Sequence, residues 1–181
     1  MNRTDDPTQE GSLTWGIKET FRHYVAGLPD GTSEISDGVW LAGAGRYGFP
    51  LTAVKGSPVE KLEFGGTLLF SGHGGFLNVL LVDPCLQRSG DEWALSVNAG
   101  ANLRLEIARG KITALNPGAN SLGLEVVLSG HGPTIFGGNY PNGTELDPIV
   151  AALPQEFFND IAAVASRGLP APFPTSTQER S

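Results

Sequence analysis

The segment from Phe64 to Leu86, FGGTLLFSGHGGFLNVLLVDPCL, decides the class of fold. Two runs rich in leucine, valine and phenylalanine flank a glycine-rich turn that contains His73. Such runs predict strands near residues 60–72 and 75–83. The glycines permit another group to approach the backbone closely, although a hairpin turn whose histidine faces water fits the pattern equally well.

The rest of the chain repeats this alternation of short apolar runs and turn residues. In LRLEIARGKITAL, residues 103–115, the alternation on either side of Arg109-Gly110 predicts a hairpin. The 25 glycines and 13 prolines agree with many turns. We therefore expect a mainly β, antiparallel fold, either a sandwich or a closed sheet. The further strands are predicted near 34–42, 46–55, 92–99, 102–108, 111–115 and 123–131, with more after 134.

One helix is predicted near each end of the chain. Apolar residues recur at helical spacing from Leu13 to Leu28, and Ser12 or Thr14 can cap this first helix. A C-terminal helix is predicted over 154–165, whereas IVAAL before it is either a last strand or a helical turn. The shared face of the C-terminal helix contains Phe157, Ile161 and Val164, and Gly168 can close it.

The same pattern predicts a single domain over residues 12–168. Residues 1–11 and 169–181 are polar or rich in proline, and we expect them to form flexible tails.

Composition and motifs exclude several classes of protein. The net charge of −7 argues against a nucleic-acid-binding protein, and no apolar run is long enough for a membrane span. Cys85 is the only cysteine, which excludes a disulfide framework and a cysteine-based zinc cluster. The polar start of the chain is not a signal peptide. We therefore expect a cytoplasmic protein, or an exported, cell-surface protein from which the signal was removed.

The first helix contains a group of residues that suits a ligand. Thr20 and Tyr24 are four residues apart and share a face, with Phe21 beside them. Lys18 and Arg22 form a basic edge. This set would suit a flat, apolar ligand that carries carboxylates, while the same spacing also suits a helix that only packs on a sheet.

Three segments resemble the HtaA-domain family of haem-binding proteins. LTWGIKETFRHYV, residues 13–25, resembles the opening motif of the family. The Gly-His-Gly-Gly segment at 64–86 looks like its strand-turn-strand, and FGGNYPNGTELDPI, residues 136–149, is similar to its C-terminal Tyr-x-x-Gly-x-x-Leu-Asp-Pro. The three matches occur in the order of the family and run from about residue 12 to 153. The resemblance implies an antiparallel β-sandwich with a short N-terminal helix at the ligand site.

The resemblance also implies a cofactor and its contacts. Family members bind ferric haem through a tyrosine, which matches Tyr24, and a histidine that matches His73 bonds to that tyrosine. By the same resemblance, the haem is expected to be haem b, Tyr140 lies near it and Thr20 meets a propionate. An anionic oxygen ligand favours Fe³⁺ over Fe²⁺, which suits haem capture, storage or relay. The remaining residues that we expect to contact the haem are Phe21 and Arg22.

Two other functions remain open at this point. A haem-dependent enzyme that acts on peroxide or N–O bonds could use the same scaffold, with Cys85, His131 or His23 as a distal group. A haem-free sandwich could instead bind only another protein. We expect a haem-binding or haem-transfer protein rather than a catalyst, with haem and another haem-binding protein or acceptor as partners.

Overall fold

The structure of the protein, a computed structural model, describes residues 9–167. These residues form a mainly β fold with three α-helices and a 3₁₀ turn at His73–Gly75, which confirms the expected fold class. The strands are β1 (Ser12–Trp15), β2 (Thr32–Ser36), β3 (Trp40–Leu41), β4 (Tyr47–Lys55), β5 (Lys61–Phe64), β6 (Thr67–Gly72), β7 (Leu77–Val82), β8 (Cys85–Ser89), β9 (Glu92–Asn98), β10 (Arg104–Asn116), β11 (Ser121–Leu128) and β12 (Ile149–Ala152). The helices are α1 (Glu19–Gly27), α2 (Gly132–Ile135) and α3 (Gln155–Arg167).

The strands form two antiparallel sheets. In the larger sheet the order is β1-β12-β11-β10-β9-β8-β5-β4, and β1 also pairs with β4, so eight strands close into a ring to which β3 is added. The smaller sheet has the order β2-β6-β7. Its inner face packs on the larger sheet, where the rings of Phe70 and Tyr47 lie 5.8 Å apart. The two layers therefore share one core, as in the predicted sandwich.

The first helix is shorter than the apolar spacing predicts. Residues 12–15 form β1, which pairs with β4 on one side and β12 on the other, and all four side chains are buried. The residues of β1 alternate between polar and apolar, but four residues are the minimum for such a signal, and Leu13 also begins the helical spacing that Ile17 and Phe21 continue. Ile17, with φ +64, turns the chain from β1 into α1. Neither Ser12 nor Thr14 caps the helix, since both lie within the strand.

Glycines account for two other wrong predictions. The strand predicted at 60–72 is divided at Gly66, whose φ is +119 and whose Cβ would lie 2.3 Å from Val39, so β5 and β6 belong to different sheets. The hairpin predicted at Arg109-Gly110 is instead one continuous strand, β10. A Cβ at Gly110 would lie 1.8 Å from the carbonyl oxygen of Glu125. This glycine therefore permits close strand pairing and forms no turn.

Three smaller differences concern strand boundaries. The strand predicted at 34–42 is interrupted at Asp37 and Gly38, which both have positive φ, and this gives the separate strands β2 and β3. Strand β8 was not predicted, because it follows Pro84 and is only half apolar. IVAAL forms the strand β12, one of the two alternatives for this segment.

The C-terminal helix and the burial of Ile161 are confirmed, but Phe158 takes the place of Phe157 on the buried face. Phe158 and Ile161 are buried, whereas Phe157 is only partly buried. The Asp160 carboxylate accepts a hydrogen bond of 2.5 Å from the backbone N–H of Val59, which fixes α3 against the turn between β4 and β5. Gly168, residues 1–8 and residues 169–181 lie outside the described residues. No helix within residues 9–167 is long and apolar enough to cross a membrane.

Candidate functional site

A tyrosine and a histidine from distant parts of the chain meet at the surface. Tyr24 lies on α1 and His73 lies in the turn between β6 and β7, 49 positions away. The Tyr24 Oη and His73 Nε2 atoms are 2.5 Å apart, a short hydrogen-bond distance. The side chain of Tyr24 is 46% exposed, so this ring does not serve as a core residue. The pair combines a phenol that can lose its proton with an imidazole that can donate to the resulting oxygen anion.

Packing of the residues next to Tyr24 on α1 determines where its side chain points. Phe21 and Val25 are the buried residues of this helix. The Phe21 ring makes edge-to-face contacts with Phe70 at 5.1 Å and with Phe136 at 5.5 Å. These aromatic contacts hold the helix on the smaller sheet and leave Tyr24 at the rim of the contact.

The turn that carries His73 has a backbone conformation that the carboxylate of Asp30 stabilises. His73, Gly74 and Gly75 have φ values of +52, +63 and +96. Asp30 accepts hydrogen bonds from the backbone N–H groups of His73 at 3.0 Å and Gly74 at 2.7 Å. These two backbone hydrogen bonds lower the pKa of the Asp30 carboxyl below its usual value. Asp30 is therefore ionised at neutral pH.

An aromatic cleft adjoins the tyrosine–histidine pair. Its volume is about 250 Å³. Tyr140 lies there with its ring edge-to-face on Phe21 at 6.5 Å, and the Lys18 ammonium lies 5.9 Å from the centre of the Tyr140 ring. Lys18 also donates a hydrogen bond to the carbonyl oxygen of Glu145 at 3.0 Å. The cleft thus combines apolar rings, two phenols and a neighbouring cation. Its lining residues are Phe21, Tyr24, Leu77, Phe136, Asn139 and Tyr140.

Arg22 lies on a different side of the helix from this cleft. Its Nη1 donates to Asp147 Oδ2 at 2.6 Å and to the carbonyl oxygen of Gly16. Arg22 and His23 line a separate cleft of about 600 Å³. Arg22 therefore fastens α1 to the segment before β12, and its predicted contact with a cofactor stays a prediction. Thr20 is exposed, one turn before Tyr24.

The structure brings together four of the six residues named from the sequence, namely Tyr24, His73, Phe21 and Tyr140. Sequence reasoning did not name Asp30, Asp147 and Phe136 as functional. Asp30 lies in a Pro-Asp-Gly turn and Asp147 in the Leu-Asp-Pro motif, and both patterns were visible. Neither pattern shows which distant backbone group the carboxylate meets.

Comparison with known proteins connects this geometry to a family. The sequence model of the HtaA family, whose description reads "Htaa", matches residues 10–152 of this chain. The chain belongs to the HtaA family. The resemblance inferred from the sequence is thus confirmed, and α3 lies beyond the matched residues. No curated protein matches the chain.

Three solved structures from Corynebacterium glutamicum have the same fold. The C-terminal domain of HtaA is 27% identical, with 77% of this chain and 92% of that chain covered and a TM-score of 0.63. The N-terminal domain of HtaA is 22% identical, with 81% and 98% covered and a TM-score of 0.63. The heme binding protein HtaB is 18% identical, with 78% and 91% covered and a TM-score of 0.63. At these identities the last two show the fold alone.

Proposed function

We propose that this protein binds ferric haem b through the phenolate of Tyr24 and that it serves haem capture, storage or relay. The observation that carries the proposal is the contact of 2.5 Å between Tyr24 Oη and His73 Nε2 beside an aromatic cleft. Membership of the HtaA family and the fold shared with a heme binding protein, HtaB, support it.

The residue types at the site fit a ferric porphyrin. A free phenol has a pKa of about 10, and coordination to a cation removes its proton at neutral pH. His73 would then donate its Nε2–H to the phenolate and orient it, as a hydrogen-bonded neighbour does for a metal ligand. The bound porphyrin would supply the iron and its four nitrogen ligands. An anionic oxygen ligand stabilises the ferric state, which suits binding and transfer of oxidised haem.

The cleft supplies the apolar and charged contacts that a porphyrin needs. Phe21, Phe136 and Tyr140 present aromatic surface beside Tyr24. Lys18, next to Tyr140, provides a positive charge for a propionate in a chain whose net charge is −7. Thr20 is the hydroxyl residue on the same helix, one turn before the proposed ligand.

The enzyme hypothesis receives no comparable support from the described residues. Cys85 is buried in β8, and burial raises the pKa of its thiol. His131 directly precedes α2, and His23 lines the other cleft. None of the three lines the cleft beside Tyr24.

An absorption titration with ferric haem tests the proposal. We expect wild type to give a saturable Soret band and a phenolate-to-iron charge-transfer band, and Tyr24→Phe to lose the charge-transfer band and bind much more weakly. Tyr47→Phe is the matched control, because Tyr47 is buried and lies away from the cleft. Relay is tested by mixing the loaded protein with an excess of a high-affinity haem acceptor. The proposal is wrong if binding does not saturate or does not depend on Tyr24.

A further inference from the structure

We infer that Asp30 is a positioning residue for the proposed iron ligand, because it holds the turn from which His73 reaches Tyr24. The inference rests on the proposed function and concerns the same site. The inference is based on two hydrogen bonds, one to each oxygen of the Asp30 carboxylate. Oδ1 accepts from the N–H of His73, and Oδ2 accepts from the N–H of Gly74. A carboxylate that accepts two consecutive backbone N–H groups fixes both the position and the direction of the peptide between them.

Packing of side chains does little to hold this turn. A Cβ at Gly74 or Gly75 would meet no atom within 4 Å, and the side chain of Phe76 is 96% exposed. His73 has a φ of +52, a backbone conformation that residues other than glycine rarely adopt. The hydrogen bonds to Asp30 therefore replace packing as the restraint on the imidazole.

Asp30 also links the turn to the helix that carries Tyr24. It follows α1 by three residues, and Gly31 beside it approaches the helix end so closely that a Cβ there would lie 1.8 Å from the carbonyl oxygen of Val25. The N–H of Gly31 donates to the carbonyl oxygen of Leu28. Asp30 is thus fixed relative to α1 and in turn fixes the turn of His73. This one short segment therefore connects α1, which carries Tyr24, with the turn that carries His73.

The experiment compares haem dissociation from full-length, haem-loaded variants. Asp30→Asn keeps the size of the side chain but presents an amide NH₂ to one of the two N–H donors. We expect haem loss to be about tenfold faster, the lower end of the effect of removing a neighbour that orients a metal ligand. The phenolate-to-iron charge-transfer band should shift at the same time. Asp83→Asn is the matched control, since the Asp83 carboxylate accepts the N–H of Gly66 in a different turn.

A purely structural role for Asp30 gives a different result. If Asp30 acts through His73, Asp30→Asn should change dissociation less than about twofold in a His73→Ala background. An equal effect in both backgrounds, or no effect in wild type, would overturn the inference. If Asp30→Asn does not fold, Asp30→Glu in the same two backgrounds makes the same comparison. Failure of the proposed function is recognised separately, because Tyr24→Phe would then leave haem binding unchanged.

Discussion

Replacement of Asp147 tests how the helix that carries Tyr24 is held against the sheet. Helix α1 has no side-chain cap at Lys18, and the Asp147 carboxylate instead accepts the N–H of Glu19 at 3.1 Å. The same carboxylate accepts a hydrogen bond from Arg22 at 2.6 Å. Asp147→Ala removes both contacts and leaves the backbone N–H of Asp147 bonded to the carbonyl oxygen of Ile17.

The exposure of the ion pair sets the expected cost of the substitution. The side chains of Arg22 and Asp147 are 15% and 29% exposed, so solvent screens this pair less than a surface pair. A hydrogen bond to a charged group contributes about 1.5–3 kcal/mol, and a helix-capping contact adds about 1 kcal/mol. Since Arg22 keeps its bond to Gly16, we expect Asp147→Ala to lower the free energy of unfolding by about 2–4 kcal/mol.

Urea unfolding of the apoprotein measures this cost. Asp91→Ala is the control, because the pair of Asp91 and Lys111 has the same kind of charges at 3.0 Å but side chains that are 82% and 57% exposed. We expect the control to leave the free energy of unfolding almost unchanged, because solvent screens this exposed pair. If Asp147→Ala costs no more than the control, this carboxylate does not hold the helix and the prediction is wrong. Arg22→Met should also destabilise the fold, and an unchanged haem spectrum would separate this role from cofactor contact.

Three further predictions concern the sheet and the C-terminal helix. Gly110→Ala should disrupt the pairing of β10 with β11 and cost more than about 3 kcal/mol in urea unfolding, whereas Gly27→Ala, with open space around it, should be neutral or slightly stabilising. Hydrogen bonds from Arg109, and then from Ser129, lower the pKa of Glu106 in the folded protein. The ionised Glu106 therefore stabilises the fold above its unfolded pKa, and this stabilisation is lost as the pH falls through the lower folded pKa. In Glu106→Gln, acid unfolding curves should show a smaller loss of stability over this pH range. Phe158→Ala should cost about 3–5 kcal/mol and Phe157→Ala clearly less, and equal costs would contradict the buried face seen in α3.

The sequence was sufficient for the fold class but not for the position of each strand. Alternation of apolar and polar residues identifies strands that are half buried, such as β9 and β11. It fails for β1, because this strand has only four residues and Leu13 also fits the helical spacing of the residues that follow. It also fails at Gly110, because a glycine looks the same in sequence whether it permits a turn or the close approach of a neighbouring strand. Only the partner strand distinguishes these two uses.

The candidate site divides in the same way between local motifs and distant contacts. Tyr24 and His73 could be named because each belongs to a segment with a recognisable pattern. The two carboxylates that hold them could not, since Asp30 meets the turn 43 positions away and Asp147 meets the helix 128 positions away. A hydrogen bond from a backbone N–H to an aspartate depends on the position of the donor residue and not on its side chain, so it leaves no residue pattern in the donor segment.

The arrangement of α1 explains how an exposed tyrosine can still be held in a defined geometry. A helix of nine residues is too short to be stable alone, so its position must come from tertiary contacts. Those contacts are made by Phe21 and Val25 on one face and by Asp147 at its N-terminal end. Tyr24 is needed for none of them, which leaves its phenol free to meet His73 and a ligand. The rigidity of the proposed ligand site therefore comes from the sheets and the carboxylates, while the tyrosine itself contributes its chemistry.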